Sequence, residues 1–446
     1  MTIPRRQRLS HKRKKTDDTG DCFNRLTSDL IVDIISHLTL KEAARTSILS
    51  WKWRYLWTYF RGIMDFDYSL KLEDMRHQLG LGTRPLNIEK ECFLRWVNNV
   101  LILNWAPTVD EIRIRFEVDS QDDVNRWIRI ALEKKVKRLE LDLTNYKADL
   151  DIRCNFPTHL LHGSSFSSLT TLRLAYVNVT GDFLEYLISH CPFLEVLCIS
   201  NSSSLMGLNV CGPSLKLKYL EIHKCMKINI LEISAEKLVS FTYVGEKIDI
   251  YFKKVPRLVE VEVGGRYGRL FFQKLDLLFP SYYLAKLEVL KLDPYTLNQP
   301  KFPQNFPQLR DLKCLELAVA APLDLLPYTP LIRACPLLHK FTLKISYATP
   351  LSREVRPITR GHPCQCLKVV ELVGFAGFQA EVEFVMYLLE NGVSLEKIII
   401  DPCPPKLLVE ATRSKYRRVE EKYQSDRRRA IELKGKIPSW VEVVIL

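Results

Sequence analysis

Near its start the chain carries apolar residues at helical spacing. The residues that form this stripe are Leu26, Leu30, Ile31, Ile34 and Leu38. Thr27 or Ser28 can cap the helix that they predict, and Thr39 and Glu42 have the spacing of a capping box for a second short helix. A third helix is predicted from a further stripe at Leu49, Trp53, Leu56, Trp57 and Phe60. Residues 21–62 are therefore expected to form a three-helix unit.

From about residue 107 onward a short apolar motif repeats along the chain. Each unit carries aliphatic or aromatic residues at positions 1, 4 and 6, as in Leu169, Leu172 and Leu174. Successive units begin 20 to 33 residues apart, and leucine-rich repeats run about 20–29 residues. The twelve copies begin at Val109, Val136, Leu169, Leu194, Leu217, Leu238, Leu258, Leu287, Leu312, Leu338, Leu367 and Leu395. A thirteenth strand is predicted over residues 440–445.

This periodicity predicts a mixed α/β fold, with a small N-terminal three-helix unit followed by a leucine-rich-repeat solenoid. Each repeat contributes a short strand to a parallel sheet on the concave side, and helical or irregular segments return the chain between strands. An ordinary α/β domain with Leu-rich strands is the alternative, which twelve phased copies disfavour. We expect a disordered basic arm over 1–20, the helical unit over 21–62, a linker and entry helix over 63–106, repeats over 107–360 and a last region over 361–446.

The net charge of +13 is concentrated at the two ends of the sequence. Residues 1–15 hold seven Lys or Arg and no acidic residue, and residues 413–436 hold the rest of the basic excess. A nearly neutral body argues against an extended phosphate-binding face, so no nucleic-acid partner is expected. The N-terminal run is either a nuclear-import signal or a solvated arm, and the expected location is the nucleus and/or the cytoplasm. The run consists of Arg5, Arg6, Arg8, Lys12, Arg13, Lys14 and Lys15.

The sequence predicts no membrane segment, cofactor, metal site or catalytic centre. No apolar stretch approaches the roughly 20 residues that span a bilayer, and the twelve cysteines are expected as reduced thiols. The densest cluster of Cys and His, residues 362–366, lacks the paired Cys-x-x-Cys spacing of a zinc site. The glycine-rich run 264–268 is expected to be a turn, because no Lys-Ser/Thr follows to complete a phosphate loop.

The alternation of side chains along a strand also predicts which residues line the concave surface. Because positions 1, 4 and 6 of each repeat point into the solenoid, positions 3, 5 and 7 face the concave side. The candidate target-binding residues at these positions are Arg173, Tyr219, Glu221, His223, Lys291, Asp293, Glu316, Lys344 and Glu371. Their mixed charges favour a protein partner over a polyanion.

The segment from Arg25 to Trp57 resembles a plant F-box. It carries Lys-Glu-Ala at 41–43, Arg-Thr-Ser-Ile-Leu-Ser at 45–50 and Trp-Arg-Tyr-Leu-Trp at 53–57, which are family motifs. Thr27 stands where the family usually has Pro, and Trp51 stands where Lys is common. Residues 124–143 and 367–400 are similar to the opening repeats and to the C-terminal FBD region of plant F-box/leucine-rich-repeat proteins.

The resemblance implies a non-catalytic substrate receptor of an SCF-type (cullin-RING) ubiquitin ligase. The F-box would dock on a Skp-type adaptor, and through it on a cullin, while the solenoid would hold a target protein. The adaptor-binding residues on this interpretation are Leu26, Leu30, Ile31, Ile34, Leu38 and Leu40. A non-ligase interaction scaffold and a small-molecule-sensing receptor are the alternatives. An enzyme is disfavoured.

Overall fold

The computed structural model describes most of the chain. The described residues are 26–69, 71–72, 74–75, 84–144, 154–158, 166–212, 215–273, 281–293, 307–319, 324–346, 364–403 and 413–446. Side chains are not described for 271–273, 281–282 and 413–421. The predicted basic arm, with all seven candidate nuclear-import residues, lies outside the described residues, as do residues 362–363 of the Cys/His cluster.

The N-terminal unit consists of two α-helices and two 3₁₀ segments. These are α1 (Ser28–Ser36), α2 (Leu40–Arg45) and the 3₁₀ segments Thr46–Ile48 and Trp53–Tyr59. Thr27 caps α1, and the capping box of Thr39 with Glu42 is present at the start of α2. The predicted third helix is a 3₁₀ helix over Trp53–Tyr59, and Leu49, where the predicted stripe begins, lies in the turn before it.

Fourteen described strands form one long parallel sheet. They are β1 (Ile63–Asp67), β2 (Glu111–Arg115), β3 (Arg138–Asp142), β5 (Thr171–Ala175), β7 (Val196–Ser200), β9 (Tyr219–His223), β11 (Ser240–Gly245), β13 (Glu260–Gly264), β14 (Val289–Asp293), β15 (Cys314–Val319), β16 (Lys340–Ile345), β17 (Val369–Val373), β18 (Lys397–Asp401) and β19 (Glu442–Ile445). The register keeps buried positions aligned, so Leu139 lies between Ile112 and Leu172. All thirteen predicted strands are present.

The first strand of the sheet, β1, lies where the sequence predicts a linker. Strand β1 pairs in parallel with β2, and its Met64 and Phe66 lie beside Ile112 and Ile114 in the buried layer. The sequence motif misses β1 because Arg61 stands at the position where the other repeats carry an aliphatic residue.

Part of the return layer also differs from prediction. Strands β8 (Gly207–Cys211), β10 (Ile230–Ser234) and β12 (Asp249–Lys254) form a second, three-stranded parallel sheet where helical or irregular returns are expected. The repeats beginning at Leu194, Leu217 and Leu238 are 20 to 23 residues long. An extended return covers the same distance with fewer residues than a helix, which accounts for strands in these short repeats. A further small pair joins β4 (Cys154–Asn155) and β6 (Val177–Asn178).

Helices form the rest of the return layer. They are α3 (Arg84–Leu103), α4 (Gln121–Glu133), α5 (Gly181–His190), α6 (Gly265–Gln273), α7 (Ser281–Leu284), α8 (Thr329–Arg333), α9 (Gln379–Asn391) and α10 (Arg413–Lys434). The glycine-rich run 264–268 therefore opens a helix, which corrects the prediction of a turn. Gly265 has a φ of +68°, so the chain reverses from β13 into α6 at a residue without a Cβ.

Buried contacts and hydrogen bonds join the helical unit to the sheet. Ile31, Ile35 and Phe60 belong to the same buried cluster as the strands. Asn104 Nδ2 donates a 2.8 Å hydrogen bond to the carbonyl of Phe60, and the backbone N–H of Trp105 donates a 2.6 Å bond to Thr58. The helical unit is thus packed directly on the first repeat.

Candidate functional site

Helix α1 presents two apolar side chains to solvent. Its Thr27 cap accepts a hydrogen bond from the N–H of Leu30, and Ile31 and Ile35 point into the core. Leu30 and Ile34, one turn apart, remain 51% and 43% exposed. Large apolar side chains left in water at this spacing are typical of a surface that a partner protein covers.

The predicted adaptor-binding residues divide into three groups by burial. Leu30 and Ile34 are exposed, whereas Leu26 and Leu38 are half-buried against the core. Ile31 and Leu40 are buried inside the chain itself, and this corrects their assignment to a contact surface. In α1 the side chains of Leu30 and Ile34 are on the solvent side, whereas Ile31 and Ile35 point into the core.

Sequence reasoning missed further exposed apolar residues on the helical unit. Ile48 is 86% exposed and Trp51 is 78% exposed, and Leu49 and Tyr55 are exposed as well. The guanidinium of Arg54 lies 4.9 Å from the ring centroid of Trp51. We call Leu30, Ile34, Ile48, Leu49, Trp51 and Tyr55 together the helical docking surface. The signal for the additional members is their position in the loop and 3₁₀ turns, which are too short to bury every apolar residue.

The second candidate surface is the solvent-facing side of the long sheet, which we call the open face. Every predicted target-binding residue lies on it and is half-buried or exposed. These residues are Arg173, Tyr219, Glu221, His223, Lys291, Asp293, Glu316, Lys344 and Glu371. Whether a target contacts them stays a prediction, but their common side of the sheet follows from the observed register.

Four residues near the middle of the open face form a polar cluster. Arg173 Nη1 lies 3.4 Å from Glu221 Oε2 and 2.9 Å from the sulfur of Cys198. The pKa of Glu221 is lowered to about 2, mainly by the imidazole of His223, whose Nε2 lies 3.8 Å from the carboxylate. Burial raises the pKa of the Cys198 thiol, so this cysteine is protonated and unreactive at neutral pH.

Several other predicted residues are already engaged in ion pairs within the sheet. Lys291 Nζ lies 2.6 Å from a carboxylate oxygen of Glu260, and Lys344 pairs with Glu316. Oε2 of Glu371 lies 2.7 Å from Lys340 Nζ and accepts a 3.2 Å hydrogen bond from the hydroxyl of Thr342. The charges of these residues therefore satisfy one another in the absence of a partner.

The first three strands carry a charge network that the sequence predictions did not include. Arg113 reaches Asp65 at 3.2 Å, Glu111 at 2.6 Å and Glu140 at 3.2 Å, and Arg115 reaches Glu140 at 2.8 Å. The rule of positions 3 and 5 identifies Glu111, Arg113 and Glu140 from the sequence. Asp65 could not be found, because its strand carries no recognisable motif.

Within the described ranges, no group of three or more His, Cys, Asp or Glu side chains is arranged to hold a metal ion. None of the described helices is both long and apolar enough to cross a bilayer.

Comparisons with known proteins agree with this architecture. The profile of the F-box domain matches residues 23–62. A profile described as "At1g61320/AtMIF1, LRR domain" matches residues 163–445, which is more than half of the chain. F-box domains generally bind Skp-type adaptors, and F-box/leucine-rich-repeat proteins generally act as SCF substrate receptors without a catalytic domain of their own.

Similar proteins come from Arabidopsis thaliana. The FBD-associated F-box protein At5g56370 is 28% identical over 260 residues, which cover 48% of this chain and 57% of the relative. The chain thus spans a little over half the length of that relative. The F-box/FBD/LRR-repeat protein At5g56420 is 26% identical over 427 residues, which cover 87% of this chain and 93% of the relative. Given the extent of the repeat match, this chain belongs to the plant F-box/leucine-rich-repeat proteins.

Proposed function

We propose that this protein is a substrate-recognition subunit of an SCF-type ubiquitin ligase. Its helical docking surface binds a Skp-type adaptor, which connects it to a cullin, and the open face of its sheet binds the protein to be ubiquitinated. The observation that carries the proposal is the exposed apolar surface on a unit that matches the F-box profile.

The adaptor contact is driven by burial of apolar surface. Leu30, Ile34 and Trp51 expose between 43% and 78% of their surface in the isolated chain. Removing such side chains from water contributes about 25 cal/mol per Å² of apolar area. The packing of the helical unit on the first repeat fixes the orientation of the sheet relative to the adaptor.

The chain itself contributes proximity rather than bond-making groups. A receptor that holds a target beside a ubiquitin-charged enzyme converts a bimolecular reaction into one between fixed partners. The protonated Cys198 and the paired Glu221 of the open face are not activated as nucleophile or base. Ubiquitin transfer is therefore assigned to other subunits.

Co-purification with a plant Skp-type adaptor tests the proposal. Wild type is expected to retain the adaptor, and the double variant Leu30→Asp/Ile34→Asp is expected to lose it, because two carboxylates would enter an apolar interface. Met206→Asp/Met226→Asp is the matched control, since these methionines are 63% and 60% exposed on the sheet domain. Loss of adaptor in the control, or retention in the docking variant, contradicts the proposed surface.

Assembly with a cullin separates the ligase receptor from the other interpretations. Adaptor binding without co-assembly with a cullin supports a non-ligase scaffold. A small molecule that raises the melting temperature of wild type, but not of variants on the open face, supports a sensing receptor.

The basic run from Arg5 to Lys15 is proposed to direct the protein to the nucleus. The triple variant Arg13→Ala/Lys14→Ala/Lys15→Ala, fused to a fluorescent protein, is expected to shift from the nucleus to the cytoplasm in plant cells. An unchanged distribution contradicts the import role.

A further inference from the structure

Strand β11 lies at the floor of a trough on the open face. Its two outward residues, Ser240 and Thr242, are only 9% and 7% exposed although their side chains are on the solvent side of the sheet. In register they lie between the longer side chains of two neighbouring strands. We define the β11 trough by the floor residues Ser240 and Thr242 and the wall residues Tyr219, Glu221, Glu260 and Glu262.

The two floor hydroxyls have no hydrogen-bond partner among the described residues. Thr342 occupies the corresponding position on β16 and is equally buried, but its hydroxyl donates to Glu371 at 3.2 Å. Neither hydroxyl oxygen is among the fully buried polar atoms without a partner, so both are reachable from the solvent side. The trough therefore presents two hydroxyls that a ligand can contact.

One wall carboxylate makes no direct ion pair. Glu221 is paired with Arg173 and Glu260 with Lys291, whereas Glu262 has no cation within 4 Å among the described residues. Lys291 adjoins Glu262 in the register, but its ammonium binds Glu260. Burial raises the pKa of Glu262, although Lys291, His223 and Lys344 lower it from beyond ion-pair distance.

We propose that the β11 trough is the contact site for an arginine side chain of the target protein. The inference rests on the proposed function, and it names the chemistry that the open face recognises. The guanidinium binds the carboxylate of Glu262 and the hydroxyls of Ser240 and Thr242, and it lies against the ring of Tyr219.

Arginine fits this arrangement better than other side chains do. The carboxylate is an acceptor and the two hydroxyls can accept, while a guanidinium provides five donors and no acceptor. Tyr219 is 42% exposed at the rim, and a planar cation is stabilised over an aromatic ring.

Titration of the full chain with the tripeptide acetyl-Gly-Arg-Gly-amide, followed by saturation-transfer NMR, tests the inference. Saturable binding is expected, with the lysine peptide weaker and the citrulline peptide, which has the same shape without the charge, not binding. Glu262→Gln and Thr242→Val keep the size of the side chains, and each is expected to weaken binding about tenfold. Glu232→Gln on β10 and Thr329→Val on α8 are the controls, because both residues lie outside the open face, and they are expected to bind as wild type does.

Absence of saturable binding, equal binding of the citrulline peptide, or wild-type affinity in Glu262→Gln overturns the inference. Binding that favours lysine over arginine also overturns it. The melting temperature of each variant is measured to confirm that it folds. Co-purification with the adaptor is scored on the same samples, so failure of the ligase proposal and failure of the arginine site are read out separately.

Discussion

The guanidinium of Arg429 donates a 2.6 Å hydrogen bond to the carbonyl oxygen of Ala376, which ties helix α10 to the turn before α9. Arg429 also binds Asp426 at 3.1 Å and lies 4.9 Å from the ring centroid of Phe378. The turn includes Gly377, whose φ is +72° and where a Cβ would lie 2.4 Å from the Cβ of Arg429. The side chain of Arg429 thus joins helix α10 to the turn between β17 and α9.

Substitution of Arg429 is expected to weaken this contact between α10 and the turn before α9. Arg429→Ala leaves the buried Asp426 without its close cation and removes the bond to Ala376, so we expect a loss of about 2 kcal/mol in the free energy of unfolding. Urea denaturation followed by circular dichroism measures it. Arg428→Ala is the control, because Arg428 is exposed and its loss is expected to change stability by less than about 0.5 kcal/mol. Equal changes in the free energy of unfolding for the two substitutions contradict a stabilising role of this contact.

Glu381 makes the stability of this region depend on pH. Burial raises its pKa to about 7, and repulsion from Asp426 adds to the rise, although the N–H groups of residues 376–378 favour the ionised form. The folded chain therefore binds more protons at Glu381 than the unfolded chain between pH 4.5 and 7. Stability at this site falls as the pH rises through that window, by about 3 kcal/mol at most.

The comparison that isolates Glu381 is wild type against Glu381→Gln. Asp426, Arg429 and Lys422 are the charged groups near the site, and they are present in both proteins. The difference in the free energy of unfolding between the two proteins is expected to change by about 2–3 kcal/mol between pH 5 and pH 8, with wild type losing stability. Parallel pH profiles for the two proteins exclude the protonation of Glu381.

The repeat motif was sufficient to predict thirteen strands because each one buries its own apolar triplet against neighbours of the same pattern. Strand β1 could not be predicted, since its burial depends on Met64 and Phe66 packing beside β2 rather than on a complete motif. The strand returns β8, β10 and β12 are indicated by the short repeats and by alternating pairs such as Leu231 and Ile233, a spacing that favours a strand over a helix.

For the candidate surfaces as well, the sequence predicts local side-chain directions but not contacts between strands. Alternation along a strand identified the open-face residues correctly, because it depends only on local geometry. It could not give the pairing of Lys291 with Glu260, which is set by the direction of a flexible side chain across neighbouring strands. Nor could it show that Thr242 is buried, since that depends on the length of the side chains on either side.

Close backbone packing at Gly181 predicts a sharp effect of a small substitution. A Cβ at Gly181 would lie 2.2 Å from the carbonyl oxygen of Gly207, where the start of α5 meets β8. Gly181→Ala is expected to lower the free energy of unfolding by about 2–3 kcal/mol, because neither backbone segment can move without breaking its hydrogen bonds. Gly212→Ala serves as the control, since its nearest neighbour would be the Cβ of Leu215 at 3.8 Å. Thermal unfolding that gives equal melting temperatures for the two variants contradicts the close approach.

The charge network of the first three strands predicts that Arg113 stabilises the end of the sheet on which the helical unit packs. Arg113→Met leaves Glu111, whose side chain is 7% exposed, and Glu140 with fewer cations, so we expect a loss of about 2 kcal/mol in the free energy of unfolding. Lys137→Met removes a pair with Asp110 in which both side chains are about half exposed, and its expected effect is below about 0.5 kcal/mol. Urea denaturation at low and high salt measures both. The pair of Lys137 is expected to be lost at high salt, whereas most of the contribution of Arg113 persists, because partly buried charges are screened less. An effect of Arg113→Met that disappears at high salt would show that the network is a solvated surface feature.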